Sequence, residues 1–552
     1  MTKLRIGLLM RGDVLSAWEA EIIDRLNASS FAEIVLVISD GRSSLSQPGK
    51  PHIPRIDRNI LFRAYARLER LMLRGRLRFR SDESVNVMSR LRGAPRISIT
   101  PQQSGYSDVF CDDDVSRIRS YAPDLLLRFG FRILKGPVLT CCVAGIWSFH
   151  HGDNAVNRGG PAGFWEVFWD EPTSGVTLQI LTEELDAGCV VRKDILPTDR
   201  LFYSRNSDML LACSPDMLLC ELARLHHEGA TAFLLGLNAR AGLRFYSRPL
   251  LRSPRNLPFL GLLAKRIALT IFRIAKQKAL RERWILLFSF GTGLSTDLSR
   301  FRRLPCPKGA YWADPFVHAH NGKHFVFFEE YQFARGKAHI SVGEISRAGL
   351  VGDATPALVE DGHLSYPFIF ETGGRIYLVP ESSDRRKVVA YECRSYPREW
   401  KASHVLLDDI TASDPTLFHH DNRFWLFVSV RNAIGSDEQL LHLYYSGDFM
   451  TEGWTPHPQN PIVTDCRCAK PAGRIIEHNG YMLRPAQDCS RRYGYGIRFQ
   501  EILELTPERY SEREAACILP EWAPDVRATH TYTFAADLTV IDAAVDELRA
   551  IT

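Results

Sequence analysis

Apolar residues open this chain in two nearly unbroken runs, "LRIGLLM" and "AEIVLVISDG". Between them "AWEAEIIDRL" repeats its apolar positions at helical spacing. Such runs suit strands buried on both faces, so the pattern reads as the start of a βαβ unit. After residue 110 the alternation resumes: "CDDDVSRIRSYAPDLLLRFGF" is an acid-led helix feeding a buried strand, "LKGPVLTCC" a short helix and "GIWSFH" a further strand. Alternation of this kind predicts a Rossmann-like α/β domain with a mostly parallel sheet, whose ligands sit beyond the strand carboxyl ends. Residues 205–245 read as helical and close the domain. "SRPLLRSPRNLP" has the composition of a linker, and "FLGLLAKRIALTIFRIAKQKALRERW" reads as a basic amphipathic helix.

From Trp284 onward the texture changes to short apolar runs around tight turns. One unit recurs in "WADPFVHAHNGKHFVFFEE", "LSYPFIFETGGRIYLVPES", "SDPTLFHHDNRFWLFVSV" and "AKPAGRIIEHNGYMLRPAQD", and in degraded form in "THTYTFAADLTVID". The first four each pair a Pro-led strand with an Asn-Gly, Gly-Gly or Asp-Asn turn and a second strand, which is a hairpin signature. Between Pro315, Pro367, Pro415 and Pro471 the steps are 52, 48 and 56 residues, the length of a four-stranded propeller blade. The expected organisation is an α/β domain over 1–245, a basic linker and amphipathic helix over 246–283, and an all-β five-bladed propeller over 284–552.

The 552 residues, 45% hydrophobic and 24% charged, are enough for two or three buried cores and give no sign of a disordered chain. No apolar run approaches the roughly 18 to 20 residues of a membrane span. "MTKLRIGLLMRGD" moves straight into a strand, which points to a cytoplasmic protein. The twelve cysteines lack the spacing of a zinc site or disulfide framework, so reduced thiols and no metal are expected. The formal charge of +5 conceals a local excess: residues 244–283 hold eleven Lys or Arg against Glu282. A second block, Arg55 to Arg80, holds nine arginines against Asp57 and Glu69. An amphipathic helix with a solvated arginine face accounts for that block, and contact with anionic lipid at the inner membrane face or with a sugar phosphate is the sharper alternative. Nucleic acid is not an expected partner.

Chemistry concentrates in "GIWSFHHGDNAVNRGGPAGFWEVF", where a strand end carries two histidines, Asn154 and an Arg158-Gly-Gly run. His150 at a strand end suits a base or an electrophile. Asp186, in the loop of "SGVTLQILTEELDAGCVV", is the carboxylate that would set its charge state. A His and Asp meeting across a sheet crevice fit acyl or one-carbon transfer.

In order and spacing, "LLLRFGFRILKGPVL", "GIWSFHHGDNAVNRGG" and "SGVTLQILTEELDAG" resemble the core of the folate-dependent formyltransferases. The resemblance spans roughly residues 1–200 and is specific from about 120 to 192. It implies that His150 and Asp186 carry the reaction. The loop Phe131, Arg132, Ile133 and Leu134, with the loop Thr182, Glu183, Glu184, Leu185 and Asp186, would hold the pteridine of 10-formyltetrahydrofolate. Where that family has Asn, two residues before the His, this chain has Ser148. Loss of one oxyanion donor typically costs on the order of 10² to 10³ in rate, so the site is expected to be slow, inactive, or retuned by a neighbour such as Asn154. Asn154 and Arg158 are assigned to the acceptor, which the resemblance leaves as an amino group of an amino sugar in surface-glycan or glycolipid synthesis.

The repeat region resembles the N-terminal domain of plant glucosamine inositolphosphorylceramide transferases and, more distantly, five-bladed glycosidases. The second likeness would make Asp314 a general base, Asp414 a tuning carboxylate and Glu381 a proton donor. The alternatives are a glycosidase, or a propeller that only binds sugar through Trp312, Asp314, Tyr366, Glu381 and Asp414 beside an inactive formyltransferase-like domain. Asp-Pro as a plain turn device that starts each inner strand remains the bland account of Asp314 and Asp414.

Overall fold

The computed structural model describes residues 2–42, 58–79, 83–91, 93–184, 188–240, 245–291, 293–432, 434–451 and 453–548. The chain divides into two compact units, Met1–Leu269 and Thr270–Thr552.

The first unit is built on a seven-stranded sheet in the order Cys189–Pro197, Thr173–Ile180, Ile146–His150, Leu125–Arg128, Leu4–Met10, Ala32–Asp40, Arg96–Ile99. The last five in that order pair in parallel and the first two add on antiparallel, as expected of a Rossmann-like sheet. Apolar runs on the central strands follow from burial on both faces: Ile6, Leu8, Leu36, Val37, Leu125 and Leu126 are sealed from solvent. Helix Ala17–Ala28 starts at a capping box, in which the Glu19 carboxylate accepts the Ser16 amide at 2.9 Å, and buries Trp18, Ile22, Ile23 and Leu26.

Helix Ile60–Met72 docks through Phe62 and Ala66 onto Phe164, Phe168, Tyr203 and Phe259. Its one acid, Glu69, turns inward and accepts the amides of Tyr203 and Ser204 at 3.3 and 2.7 Å. A carboxylate there meets the positive end of helix Tyr203–Glu228, which explains a buried charge on an otherwise arginine-rich helix.

The linker composition near residue 250 becomes a strap. Leu251 donates to the Arg158 carbonyl at 2.8 Å, and the Gly160 amide donates to the Leu251 carbonyl at 3.1 Å. Gly159 between them has φ +96, and a Cβ there would lie 2.3 Å from the Leu251 oxygen, so both backbone conformation and space demand glycine.

The second unit is all-β. Four antiparallel sheets follow one another along the chain, led by strands Ala310–His320, Ser365–Thr372, Ala412–His420 and Ile476–His478. A fifth sheet joins both ends of the unit: Leu280–Phe290 pairs antiparallel with Leu538–Leu548 along its whole length, and Tyr532–Ala535 lies on the other side of Leu538–Leu548. Apolar clusters fill the spaces between the sheets, for example Phe316, Phe327, Tyr366 and Phe368 between the first two.

Two expectations are corrected here. The basic helix is Asn256–Ala279 and stops before "LRERW", because that segment is the start of the strand facing Leu538–Leu548. In the fourth repeat Pro471 does not lead a strand and makes only an isolated bridge to Ala486.

Gly159→Ala is expected to lower stability by about 2–3 kcal/mol, since it forces a β-carbon into the strap at an unfavourable φ. A fall in Tm by differential scanning calorimetry checks this. An unchanged Tm would mean that the strap does not hold this loop.

Candidate functional site

In the first unit the parallel strands deliver their carboxyl-end loops to one edge of the sheet. His150 ends its strand, and its Nε2 donates to the Asn157 carbonyl at 2.8 Å. A carbonyl only accepts, so the Nε2 proton is fixed. Asn157 in turn donates through Nδ2 to the buried Glu166 carboxyl at 3.0 Å, and burial holds that carboxyl above the usual range against this bond. The neighbouring His151 is structural. Burial drives its pKa down to about 3, it packs edge-on to Trp18 at 5.1 Å, and its Nε2 lies 3.0 Å from the Ser214 hydroxyl.

Ser148 is buried, and its hydroxyl accepts from Arg128 Nη1 at 3.2 Å. The same guanidinium donates through Nη2 to the carbonyls of Phe131 and Arg132 at 3.2 and 3.0 Å. Arg128 therefore ties the loop Phe131–Leu134 to Ser148. That loop is further pinned where the Arg132 amide donates to buried Asp108 at 2.9 Å, itself paired with Arg42 at 2.7 Å. Burial pushes the Asp108 carboxyl up, but the Arg42 and Arg132 donors outweigh it and leave it below the ordinary range. Phe131 is buried at φ +64, a backbone state that a phenylalanine adopts only under constraint. Ile133 and Leu134 begin the strand Ile133–Lys135 that follows.

The second loop is brought to the first: Glu183 Oε1 accepts the Gly136 amide at 2.9 Å, while Thr182 and Glu184 are exposed. Leu185 and Asp186 lie outside the described residues, so the expected His150–Asp186 pair has no geometry to report. Asn154 is buried, and its carbonyl receives Arg158 Nε at 3.0 Å. The Arg158 guanidinium sits 4.5 Å over the Tyr246 ring of the strap. Arg128 and Glu166 were missed in the sequence; the available signal was a charged residue ending the run "LLLR" directly before a Gly-containing loop.

In the second unit the residues that precede the recurring prolines converge. Register breaks at Asp314-Pro315, Tyr366-Pro367 and Asp414-Pro415, and the pre-proline residues sit at φ +49, +46 and +51. Bulges of this kind re-aim side chains, and a left-handed residue before proline persists only when its surroundings fix it. Here they do. Asp314 accepts from the Thr531 hydroxyl at 2.9 Å and the Tyr366 amide at 3.3 Å, and the Tyr366 hydroxyl meets Thr416 Oγ1 and the Gly473 amide, each at 2.8 Å. Asp414 Oδ2 accepts from Gln487 Nε2 at 2.9 Å and lies 3.1 Å from Lys470 Nζ, which also pairs with Asp437 at 3.0 Å. Glu381 closes the set by accepting the Asp414 amide at 3.2 Å.

The electrostatics follow from burial. Removal from water would drop the Lys470 ammonium, but Asp414 and Asp437 outweigh it and hold its pKa well above the lysine range. Asp437, pushed up by burial, is brought down to about 2 chiefly by Lys470. Asp414 stands well above the carboxylate range because of burial, only partly offset by Lys470. Glu329 is likewise raised by burial and by the nearby Asp314. His530 Nδ1 lies 2.5 Å from Asp542, and the attraction of Asp542 and Asp314 overcomes burial to raise its pKa. Asp314, His530 and Asp542 bring one side-chain atom each within 4.8 Å of one another and form one buried cluster. The Trp284 ring stacks on His530 at 4.0 Å. Tyr493, 44% exposed, stands edge-on to it at 5.5 Å with Lys470 Nζ 5.8 Å from its own centroid.

Trp312 requires correction. It is buried against Phe328 at 4.7 Å in the apolar cluster with Leu286, Phe288 and Leu304, so its faces are used in packing. Trp284 and Tyr493 are rings that pack against His530 in the charged cluster.

Residues 305–529 match the family model of glucosamine inositolphosphorylceramide transferase 1, N-terminal. Over 205 residues the chain is 33% identical to glucosamine inositolphosphorylceramide transferase 1 of Oryza sativa subsp. japonica, a match covering 36% of this chain and 27% of that protein. The Arabidopsis thaliana protein of the same name is 32% identical over 208 residues, covering 37% and 27%. The matched segment therefore spans about a quarter of the length of these curated relatives. Among solved structures, phosphoribosylglycinamide formyltransferase from Anaplasma phagocytophilum aligns at 18% identity and TM-score 0.27, over 40% of this chain and 88% of that one. The catalytic domain of the Coprinopsis cinerea GH62 alpha-L-arabinofuranosidase aligns at 13% identity and TM-score 0.33, over 48% and 97%.

Lys470→Met is expected to destabilise the protein by about 3 kcal/mol or more at neutral pH, because it strands buried carboxylates, and adding Asp414→Asn should recover part of the loss. The depressed Asp437 contributes stability that is present above its unfolded pKa of about 4 and lost as pH falls through about 2. Tm measured from pH 5 to 2 should therefore show a steeper acid limb in the natural protein than in Lys470→Met. Parallel limbs would break the assigned pairing.

Proposed function

We propose that this chain acts in glycan or glycolipid assembly, with a carbohydrate-binding second unit and a first unit that transfers a formyl group to an amino sugar. The second unit is read as a five-bladed propeller, one sheet per blade, with the closure supplied by the pairing of Leu280–Phe290 with Leu538–Leu548. The observation that carries the reading is the convergence of Asp314, Tyr366 and Asp414 from the first strands of three sheets, with Lys470 and His530 from connecting segments, on one charged centre with Tyr493 at its edge. Carboxylates, an ammonium and an exposed ring supply the acceptors, donors and stacking face that a sugar uses. The relatives' name supports a glycolipid as the acceptor.

In the first unit the loops Phe131–Leu134 and Thr182–Asp186 would hold 10-formyltetrahydrofolate as donor substrate; the Glu183–Gly136 bond and the fixed Arg132 amide support that fit. The acceptor amine would attack the formyl carbon, form the new C–N bond and release tetrahydrofolate as the old one breaks. His150 would relay the amine proton to N10 of the departing tetrahydrofolate. A second reading, a first unit without catalysis, is favoured by two observations: Arg128 occupies the Ser148 hydroxyl, and His150 is turned to the Asn157 carbonyl.

The full chain incubated with 10-formyltetrahydrofolate and amino sugars, free or nucleotide-linked, is expected to yield an N-formyl product by mass spectrometry, with turnover reduced about 10²-fold or more in His150→Ala. Absence of product and of any folate-induced rise in Tm would leave the non-catalytic reading. Binding of glycan on an array, lost in Asp414→Asn and Tyr493→Ala, tests the second unit separately.

A further inference from the structure

Helix Ile60–Met72 and residues 256–269, the first-unit part of helix Asn256–Ala279, meet and present an exposed apolar face. Leu61 donates its amide to Asn256 Oδ1 at 3.1 Å, and the Phe62 and Phe259 rings meet at 6.0 Å, so the two helices touch at their starts. Along the first-unit part of the longer helix Leu257, Leu260, Ala264 and Ile267 recur at alternating steps of three and four, which places them on one stripe, and all four are exposed. Leu257 is 81% exposed and Ile267 51%. On the shorter helix Ile60, Leu68, Leu71 and Met72 are also exposed, beside Arg63, Arg67 and Arg74.

An apolar stripe this long costs free energy in water unless something covers it. The charge says what. Helix Asn256–Ala279 carries five Lys or Arg and no acid, and Glu69, the one acid of the shorter helix, is spent inside on the Tyr203–Glu228 amides. Arg266 likewise turns in, donating to the Val167 carbonyl at 2.8 Å, and anchors the helix. A second copy of the chain laid on this stripe would bring together two segments of eleven cations against one acid each. An anionic surface gains where that pairing loses.

We propose that this face is a bilayer-docking surface that lies in the interface of a membrane rich in anionic lipid, with the Leu and Ile side chains in the acyl boundary and the Arg and Lys side chains on the phosphates. Among the described residues no helix is long and apolar enough to cross a membrane, which agrees with a helix lying in the plane. The inference stands apart from formyl transfer and from sugar binding, since it uses none of their residues.

The full-length protein is to be sedimented with vesicles of phosphatidylcholine alone and of phosphatidylcholine with phosphatidylglycerol. Binding to the anionic vesicles is expected, with weakening at high salt. Leu260→Gln/Ile267→Gln and Arg67→Gln/Arg74→Gln should each reduce it about tenfold or more, with unchanged Tm because all four side chains are exposed. Absence of binding to anionic vesicles at low salt, or binding that survives both double substitutions, would overturn the proposal. So would a concentration-dependent dimer in analytical ultracentrifugation that the Leu260/Ile267 pair abolishes while vesicle binding stays absent; that result would give the face to a second copy.

Discussion

One fully buried carboxylate organises the closing sheet of the second unit. Asp542 accepts the His530 and Thr531 amides at 2.9 Å each, the Asp314 amide at 3.0 Å, and the His530 imidazole at 2.5 Å. A charge without water is tolerated only when donors surround it, and those donors come from the first sheet as well as the last. The two ends of the unit are therefore tied by strand pairing at the edge and by this carboxylate toward the centre. Asp314, with its backbone so fixed, is aimed at Thr531 and Tyr366, and through Tyr366 the network reaches Thr416 and Gly473.

This dependence explains why the pre-proline positions differ in chemistry while sharing a place in the repeat. Asp314, Tyr366, Asp414, Lys470 and the corresponding His530 are two acids, a phenol and two cations, a set that is close to neutral as a group. A repeat with the same acid at every position would concentrate like charges in low dielectric, which burial forbids. The degraded fifth repeat is one consequence: it lacks the proline and supplies the imidazole that faces Asp314 and Asp542.

The α/β organisation and the repeat were legible because both rest on local periodicity. "LRIGLLM" and "LLLR" read as buried strands, and the X-Pro steps marked the first strands of three sheets. Residues whose roles depend on distant partners were not legible. Trp312 stands two residues before Asp314 and looks like a stacking platform, yet the register break after Ala313 interrupts the alternation that would set it beside Asp314, and packing against Phe328 puts it in the core. Tyr493 and Trp284 lie outside the repeated unit, and nothing in their local sequence announces that they meet at His530. The helix ending at Ala279 was read too long because "LRERW" has helical propensity, and pairing with Leu538–Leu548 overrides it.

In the first unit the same rule that buried charge must be satisfied shapes the surroundings of Ser148. The space beside its hydroxyl is filled by a guanidinium from the adjacent parallel strand. Arg128 makes three bonds at once, to Ser148 and to two carbonyls of the Phe131–Leu134 loop. Those carbonyls come from a loop already strained at Phe131, so the guanidinium acts as a brace for the loop. A brace and an oxyanion donor place opposite demands on one side chain: the first is best fully bonded in the resting state, the second best left with a donor to offer. These bonds engage Nη1 and Nη2, so the resting geometry of Arg128 is that of the brace.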